Sequence, residues 1–179
     1  MMGGLALVLA ALNAAHLAAN VSDSMPIGLY HVEPVTRPVR SGDIVEVCPP
    51  PEADRLAVSR HYLLRKGPCS FGSIYLLKIV VAVGGDTVEA RRDAIVVNGK
   101  ALPNSATLTV DRQGKPLPQV ARRVYHLRPR QLWLWTPNPR SWDSRYYGPV
   151  PEANVAGLEH FLLAFARWPY ANTGLSVAF

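Results

Sequence analysis

The sequence predicts a mainly β fold of short antiparallel strands, preceded by an N-terminal apolar helix and followed by a short C-terminal helix. Three observations carry this. Sixteen prolines and thirteen glycines are spread along 179 residues, which favours many short strands and turns over a helix bundle. Between those breakers, apolar residues recur with period two in several runs. One apolar run leads into Asn98-Gly99, a pair suited to a type I′ hairpin turn. Hydrophobic residues make up 49% of the chain and charged ones 18%, which argues against a disordered polypeptide. The length gives room for one domain with a core, plus an appendage.

Taken in order, Gly3 to Ala19 is apolar except for Asn13 and His16. The run is at the short end of a membrane span, which takes about 20 residues. It also fits the apolar segment of a signal peptide, and a buried helix of a soluble domain is the plainer alternative. Residues 1–20 are read as a membrane anchor or signal segment, and 21–179 as the domain that follows. No Lys or Arg precedes the run, so charge does not orient it in a membrane.

Gly28 to Val32 and Asp43 to Val47 alternate as strands, separated by Pro34, Pro38 and Ser41-Gly42. Residues 52–64 set Ala53, Leu56, Ala57 and Leu64 loosely on one face of a short helix. Ile74 to Val83 is the most β-prone run, with Lys78 as its one charged residue, and Gly84-Gly85-Asp86 ends it. Ala94 to Val97 is the first arm of the Asn-Gly hairpin. Residues 103–130, rich in Pro, Gly and charge, form a loop-rich excursion, after which Gln131 to Trp135 resumes as a strand. Pro137 to Gly148 is a polar, turn-rich loop. Residues 155–168 place Val155, Leu158, Leu162 and Phe165 at helical spacing, a stripe read as core packing or as a membrane-contacting face.

The formal net charge is +6. It gives a solvated basic surface or an attraction to anionic lipid headgroups. Nucleic acid is not an expected partner: the basic residues are scattered (Arg91-Arg92, Arg122-Arg123, Arg128, Arg130), with no basic helix. Cys48 and Cys69 are not spaced as a metal site. They bracket Pro49-Pro50-Pro51 and Lys66-Gly67-Pro68, a loop whose ends lie close. A disulfide there would need a non-cytosolic compartment; the alternative is two buried free thiols.

Immediately after the apolar run comes Ser22-Asp23-Ser24-Met25-Pro26-Ile27-Gly28-Leu29-Tyr30. It offers a serine just before a Pro and a Gly, where the backbone turns. A serine is inert until a base removes its proton. Lys78 is the candidate base. Burial in an apolar strand pushes a lysine down from about 10.4, and one brought to about 7–8 serves as a general base near neutral pH. A lysine on a sheet's wet face is the plainer reading, and residue types alone do not choose between the two.

The order of motifs does more. Ser24-Met25-Pro26, Lys78, Gly85-Asp86 and Asp143-Ser144-Arg145 follow one another as in the bacterial type I signal peptidases. Further stretches, Pro26-Ile27-Gly28-Leu29-Tyr30, Val47-Cys48-Pro49-Pro50, Gly114-Lys115-Pro116-Leu117-Pro118 and Ser141 through Pro151, resemble the conjugative-transfer (TraF-type) signal peptidases. The resemblance runs from about Ser22 to Pro151.

It implies a signal-peptidase-like β domain and a membrane-associated serine endopeptidase with a Ser-Lys dyad. Such an enzyme removes a leader or terminal segment from a secreted pilin-type precursor, and some relatives join the pilin's ends into a ring. Carried over, Ser24 is the nucleophile and Lys78 the base. Ser22 and the Ser24 backbone N–H form the oxyanion hole. Ser141 orients the lysine, Asp143 and Arg145 brace the loop, and Gly85-Asp86 turns the chain after the lysine strand. The implied partners are the precursor, membrane lipid and other conjugation-machinery proteins, with no cofactor and no metal. The implied location is the inner membrane, with the catalytic domain on the periplasmic side. Two positions depart from the family's pattern: Ile79, where an Arg often follows the lysine, and Gly84, where a Pro is common. Two other readings are a self-cleaving Ser-Lys protease of the SOS-repressor type and a non-catalytic, membrane-anchored pilus-assembly protein.

Overall fold

The computed structural model describes residues 16–170. Its strands are β1 (Leu17–Asn20), β2 (Gly28–Glu33), β3 (Ile44–Val47), β4 (Leu76–Ala82), β5 (Thr87–Ala90), β6 (Ile95–Val97), β7 (Lys100–Ala101), β8 (Val124–His126), β9 (Gln131–Trp135), β10 (Val150–Pro151) and β11 (Val155–Ala164). Two α-helices interrupt them among the described residues, α1 (Pro51–Ser59) and α2 (Ser144–Tyr147), and a short 3-10 turn (Glu152–Asn154) precedes β11. The strands form a seven-stranded sheet in the order β1-β2-β11-β3-β4-β9-β10 and a four-stranded sheet in the order β7-β6-β5-β8. Neighbours pair antiparallel throughout. The mainly β, antiparallel architecture is the one the sequence predicts.

The large sheet is buried on both faces around β4, which explains why that strand reads as an unbroken apolar run. Val45, Val47, Leu76, Val80, Leu134 and Leu158 pack with Ala53 and Ala57 of α1 and with Trp142 and Tyr146. Ile44, Ile79, Val81, Tyr30, Trp133 and Trp135 pack on the other side against Val88 and Ile95 of the small sheet. The β6–β7 turn has Asn98 at φ 48° and Gly99 at φ 81°, the pair of positive values that a type I′ turn requires. Helix α1 starts with Pro51, whose missing N–H costs nothing there, and Glu52 and Asp54 in its first turn suit the helix dipole. Cys48 and Cys69 are disulfide-bonded, with Cα atoms 5.4 Å apart, so α1 and the loop after it are stapled to the end of β3. Closing a loop of that size is worth about 3 kcal/mol.

One expectation is corrected. The C-terminal helix expected over 155–168 is β11, which lies between β2 and β3. Two register shifts, at Val155/Gly157 and Phe161/Leu163, break its period-two pattern and imitate helical spacing. Of the supposed stripe, Leu162 and Phe165 are 53% and 58% exposed. Gly157 lets β11 approach β2 closely, since a Cβ there would sit 2.8 Å from Val32 Cγ1. The loop-rich excursion over 103–130 carries one short strand in its later part, β8, paired with β5. The apolar run expected as an N-terminal helix lies mostly outside the described residues; the residues at its end, from Leu17, belong to β1. β1 pairs with β2 from Leu17↔His31 to Asn20↔Gly28. Among the described residues no helix is long and apolar enough to cross a membrane.

Candidate active site

The turn between β1 and β2 presents Ser24. Pro26 lies in it, and Gly28, the first residue of β2, lets β11 pack against the turn's exit, since a Cβ there would lie 2.1 Å from the Leu163 carbonyl oxygen. Met25, fully buried, anchors the turn in the core. The Tyr30 hydroxyl donates to the Pro26 carbonyl at 2.8 Å, and the Trp168 indole N–H donates to the Asp23 carbonyl at 3.2 Å. Asn20, the last residue of β1, fills the inside of the turn. Its Nδ2 donates to the carbonyls of Ser22, Met25 and Pro26 at 2.9, 3.0 and 3.0 Å. Its Oδ1 accepts from the Ser22 N–H at 3.1 Å and from the Ser22 hydroxyl at 2.9 Å. The Ser22 and Ser24 hydroxyl oxygens are 3.0 Å apart and hydrogen-bonded.

Lys78 sits in β4 opposite Val45 of β3 and is 2% exposed. Its ammonium donates to the Leu77 carbonyl at 2.9 Å. Burial drives the amine down to about 8; the Asp143 carboxylate opposes the shift and the Arg145 guanidinium adds to it. Both groups therefore lie within electrostatic reach of the lysine, on the loop that follows β9.

That loop is built around a buried ion pair. Asp143 caps α2 by accepting from the Arg145 N–H at 3.1 Å. The Arg145 side chain grips the same carboxylate twice, Nε to Oδ1 and Nη2 to Oδ2, both at 2.8 Å. It also donates to the carbonyls of Asn104 at 3.1 Å and Asn138 at 2.7 Å. Neither side chain has any exposure. The fork geometry of a guanidinium suits this bidentate hold. Ser141 is 3% exposed, and its hydroxyl has no hydrogen-bond partner among the described residues. Gly85, at φ 98°, and Asp86 form the turn after β4. There Asp86 accepts from the Val83 N–H and the Asn98 amide, both at 2.8 Å.

Ser22, Ser24, Lys78 and Ser141 line one cleft of about 620 Å³. The structure brings these four together, but among the described residues no hydrogen bond links Ser24 to Lys78 or Lys78 to Ser141. Asp143 and Arg145 lie behind the cleft wall. Gly85, Asp86 and the disulfide are not part of its lining. Sequence reasoning missed two features. One is Asn20, whose signal was an Asn four residues before the serine at a strand end. The other is a carboxyl pair on the cleft wall, Glu46 of β3 with Glu159 of β11. Glu159 is 5% exposed, and burial first, then the Glu46 charge, pushes its carboxyl up to about 9. Burial raises Glu46 as well. Among the described residues no group of three or more His, Cys, Asp or Glu side chains is placed to hold a metal ion.

The Glu pair has a thermodynamic consequence. A carboxyl with a raised folded-state pKa contributes stability that is fully present below its unfolded value near 4.5 and lost as pH rises toward about 9. Thermal melts across that window are expected to show Tm falling with pH in the native chain. In Glu159→Gln, which keeps the shape and cannot ionise, the fall should be flatter. An equal slope in the two proteins would show that Glu159 titrates normally.

Three relatives and one family profile bear on this site. The profile of the family described as signal peptidase, peptidase S26, matches residues 1–164. A conjugal transfer protein TraF of Agrobacterium tumefaciens (strain 15955) is 34% identical over 166 residues, covering 90% of this chain and 93% of the relative. A probable conjugal transfer protein TraF of Sinorhizobium fredii (strain NBRC 101917 / NGR234) is 37% identical over 148 residues, covering 82% and 77%. A plasmid transfer protein TraF of Escherichia coli is 34% identical over 143 residues, covering 79% of each. Among solved structures, a signal peptidase I of Enterococcus faecalis V583 aligns with a TM-score of 0.38 and 21% identity, over 68% of this chain and 97% of that one. With a profile match across most of its length and relatives above the level at which family is in question, the chain belongs to the signal peptidase family, peptidase S26.

Proposed function

We propose that this peptidase works with a Ser24–Lys78 dyad and removes a leader or terminal segment from an exported pilin-type precursor in a conjugative transfer system. In this reading it acts at the inner membrane, with its catalytic domain on the periplasmic side. The conjugal transfer names of its relatives support the setting, and the disulfide supports a non-cytosolic compartment. The observation that carries the chemistry is a fully buried amine, lowered to about 8, on the same cleft as a serine held in a braced turn.

In the reaction the Lys78 side chain turns from the Leu77 carbonyl toward Ser24. Neutral Nζ takes the Ser24 hydroxyl proton as Oγ bonds to the scissile carbonyl carbon. The Ser24 N–H and the Ser22 hydroxyl receive the oxyanion. The lysine returns the proton to the leaving amine, and an ester on Ser24 remains. Water then attacks that ester and releases the acid; attack by the precursor's own amino group would instead close a ring, a product lighter by one water. The substrate enters as an extended strand.

Ser24→Ala is expected to abolish cleavage of a precursor co-expressed in membranes, as followed by mass spectrometry, while leaving the melting curve near that of the native chain. Unchanged cleavage would end the dyad reading. The Lys78–Leu77 hydrogen bond favours a second reading, a membrane-anchored pilus-assembly protein with a purely structural lysine. The same assay decides between them.

A further inference from the structure

We propose that Asn20 is the positioning residue of the nucleophile, clamping the Ser22–Pro26 turn and fixing the direction of the Ser22–Ser24 hydrogen bond. The proposal deepens the peptidase reading above and rests on it. Its basis is the geometry of one amide group.

The orientation of that amide is forced by its neighbours. Three carbonyl oxygens surround Nδ2, and carbonyls only accept. A backbone N–H points at the other end, so that end must be the oxygen. The Ser22 hydroxyl also contacts this oxygen, at 2.9 Å, and must be the donor there. A hydroxyl has a single proton. Across the 3.0 Å contact between the two serines, Ser24 is therefore the donor and Ser22 the acceptor. Asn20 thus sets where the Ser24 proton points.

Two consequences follow for the reaction. First, one half-buried side chain from the adjoining strand contacts five polar atoms of the turn, its two Nδ2 protons shared among three carbonyls, so Ser24 is held before substrate arrives and little ordering remains to be done in the transition state. Second, the Ser22 proton rests on a neutral amide oxygen. An oxyanion is the stronger acceptor, so the proton swings to it as charge develops. The amide oxygen keeps its bond to the Ser22 N–H during that swing, so the backbone does not move. Asn20 therefore holds the Ser22 rotamer in register for a contact made only in the transition state, which acts on kcat rather than KM.

The test uses the full chain in membranes or detergent, with two readouts. In precursor cleavage, Asn20→Ala is expected to lower kcat by about 10- to 100-fold, the effect of losing one or two hydrogen bonds, with KM changed little. Because part of its effect runs through the Ser22 hydroxyl, Asn20→Ala added to Ser22→Ala should cost less than it does alone, the remainder being the loss of the clamp on the turn. Losses that simply multiply would overturn the proposal, as would a change confined to KM. The second readout is hydrogen exchange, which needs no activity. Asn20→Ala should open residues 21–26 to exchange while β4 and β9 stay protected. Asn20→Asp keeps the acceptor and loses the donor, so it should open the same segment yet retain more kcat than the alanine variant. Protection of 21–26 unchanged in both variants would also overturn the proposal. Native-like cleavage by Ser24→Ala removes the peptidase reading instead, and leaves exchange to judge the clamp.

Discussion

Lys78→Met is expected to give a protein that folds, melts higher than the native chain and cleaves precursor at least about a hundredfold more slowly, within the range of general-base contributions. The two effects share one cause. The strand β4 lies in the middle of the sheet, between β3 and β9, so position 78 has no route to solvent along an edge. Holding an ammonium there costs free energy, seen as an amine lowered from 10.5 to about 8, or about 3 kcal/mol between the two protonation states. Methionine has nearly the same reach and no charge to desolvate. Lys78→Arg separates charge from basicity: the guanidinium keeps its proton, so it should be as inactive as methionine and less stable than either. Initial rates with precursor across pH supply the third readout. Only the neutral amine accepts a proton, so native activity should climb as pH rises through about 8. A flat profile, or full turnover by either variant, would remove Lys78 from the chemistry.

The same titration sets a stability slope opposite to that of the Glu pair. A lysine with a depressed folded-state pKa releases its proton earlier in the folded chain than in the unfolded one. The unfolded state then binds more protons between about 8 and 10.5, and stability rises with pH there. Glu159 lowers stability over the range up to about 9. Around pH 8 to 9 the two oppose one another. The pH at which Lys78 gives up its proton is thus close to the one at which Glu159 on the same cleft wall loses its own, so in the proposed dyad activity and local stability change together.

Much of the fold was legible because local and global signals agreed. The Asn98-Gly99 turn, the runs of β2, β3 and β9, and the unbroken apolar run of β4 each state their own structure. β11 did not, because its two register shifts erase alternation, and what makes it a strand is pairing with β2 and β3, far away in sequence. The cleft residues Ser22, Ser24, Lys78 and Ser141 were legible from motif order rather than from spacing. Asn20 was hidden for a different reason. Its role depends on a turn folding back over it, and no periodicity records that five polar atoms converge on one amide. The Glu46–Glu159 pair was hidden likewise, since its members meet across strands more than a hundred residues apart.

Asp143→Ala should destabilise the chain by about 3–5 kcal/mol, the cost of leaving a buried partner charge uncompensated. Arg145 has no exposure and makes paired 2.8 Å bonds to that carboxylate, so nothing from solvent replaces it. The substitution also uncaps α2. Swapping both residues for apolar ones is not expected to restore stability. Arg145 ties down the carbonyls of Asn104 and Asn138 as well, and those acceptors would lose their donors. The pair also tunes the lysine. Asp143 holds the Lys78 amine up and Arg145 holds it down. Asp143→Asn keeps the size and a hydrogen-bonding oxygen while removing the charge, so the molecules that remain folded should show the pH–rate midpoint moved to lower pH. Chemical denaturation measures the stability loss, and the pH–rate profile of the asparagine variant at low temperature measures the shift. A large stability loss with an unmoved midpoint would mean that the pair braces the loop without acting on the amine. A midpoint moved to higher pH would reverse the electrostatic assignment, because removing a nearby anion cannot make an ammonium easier to keep.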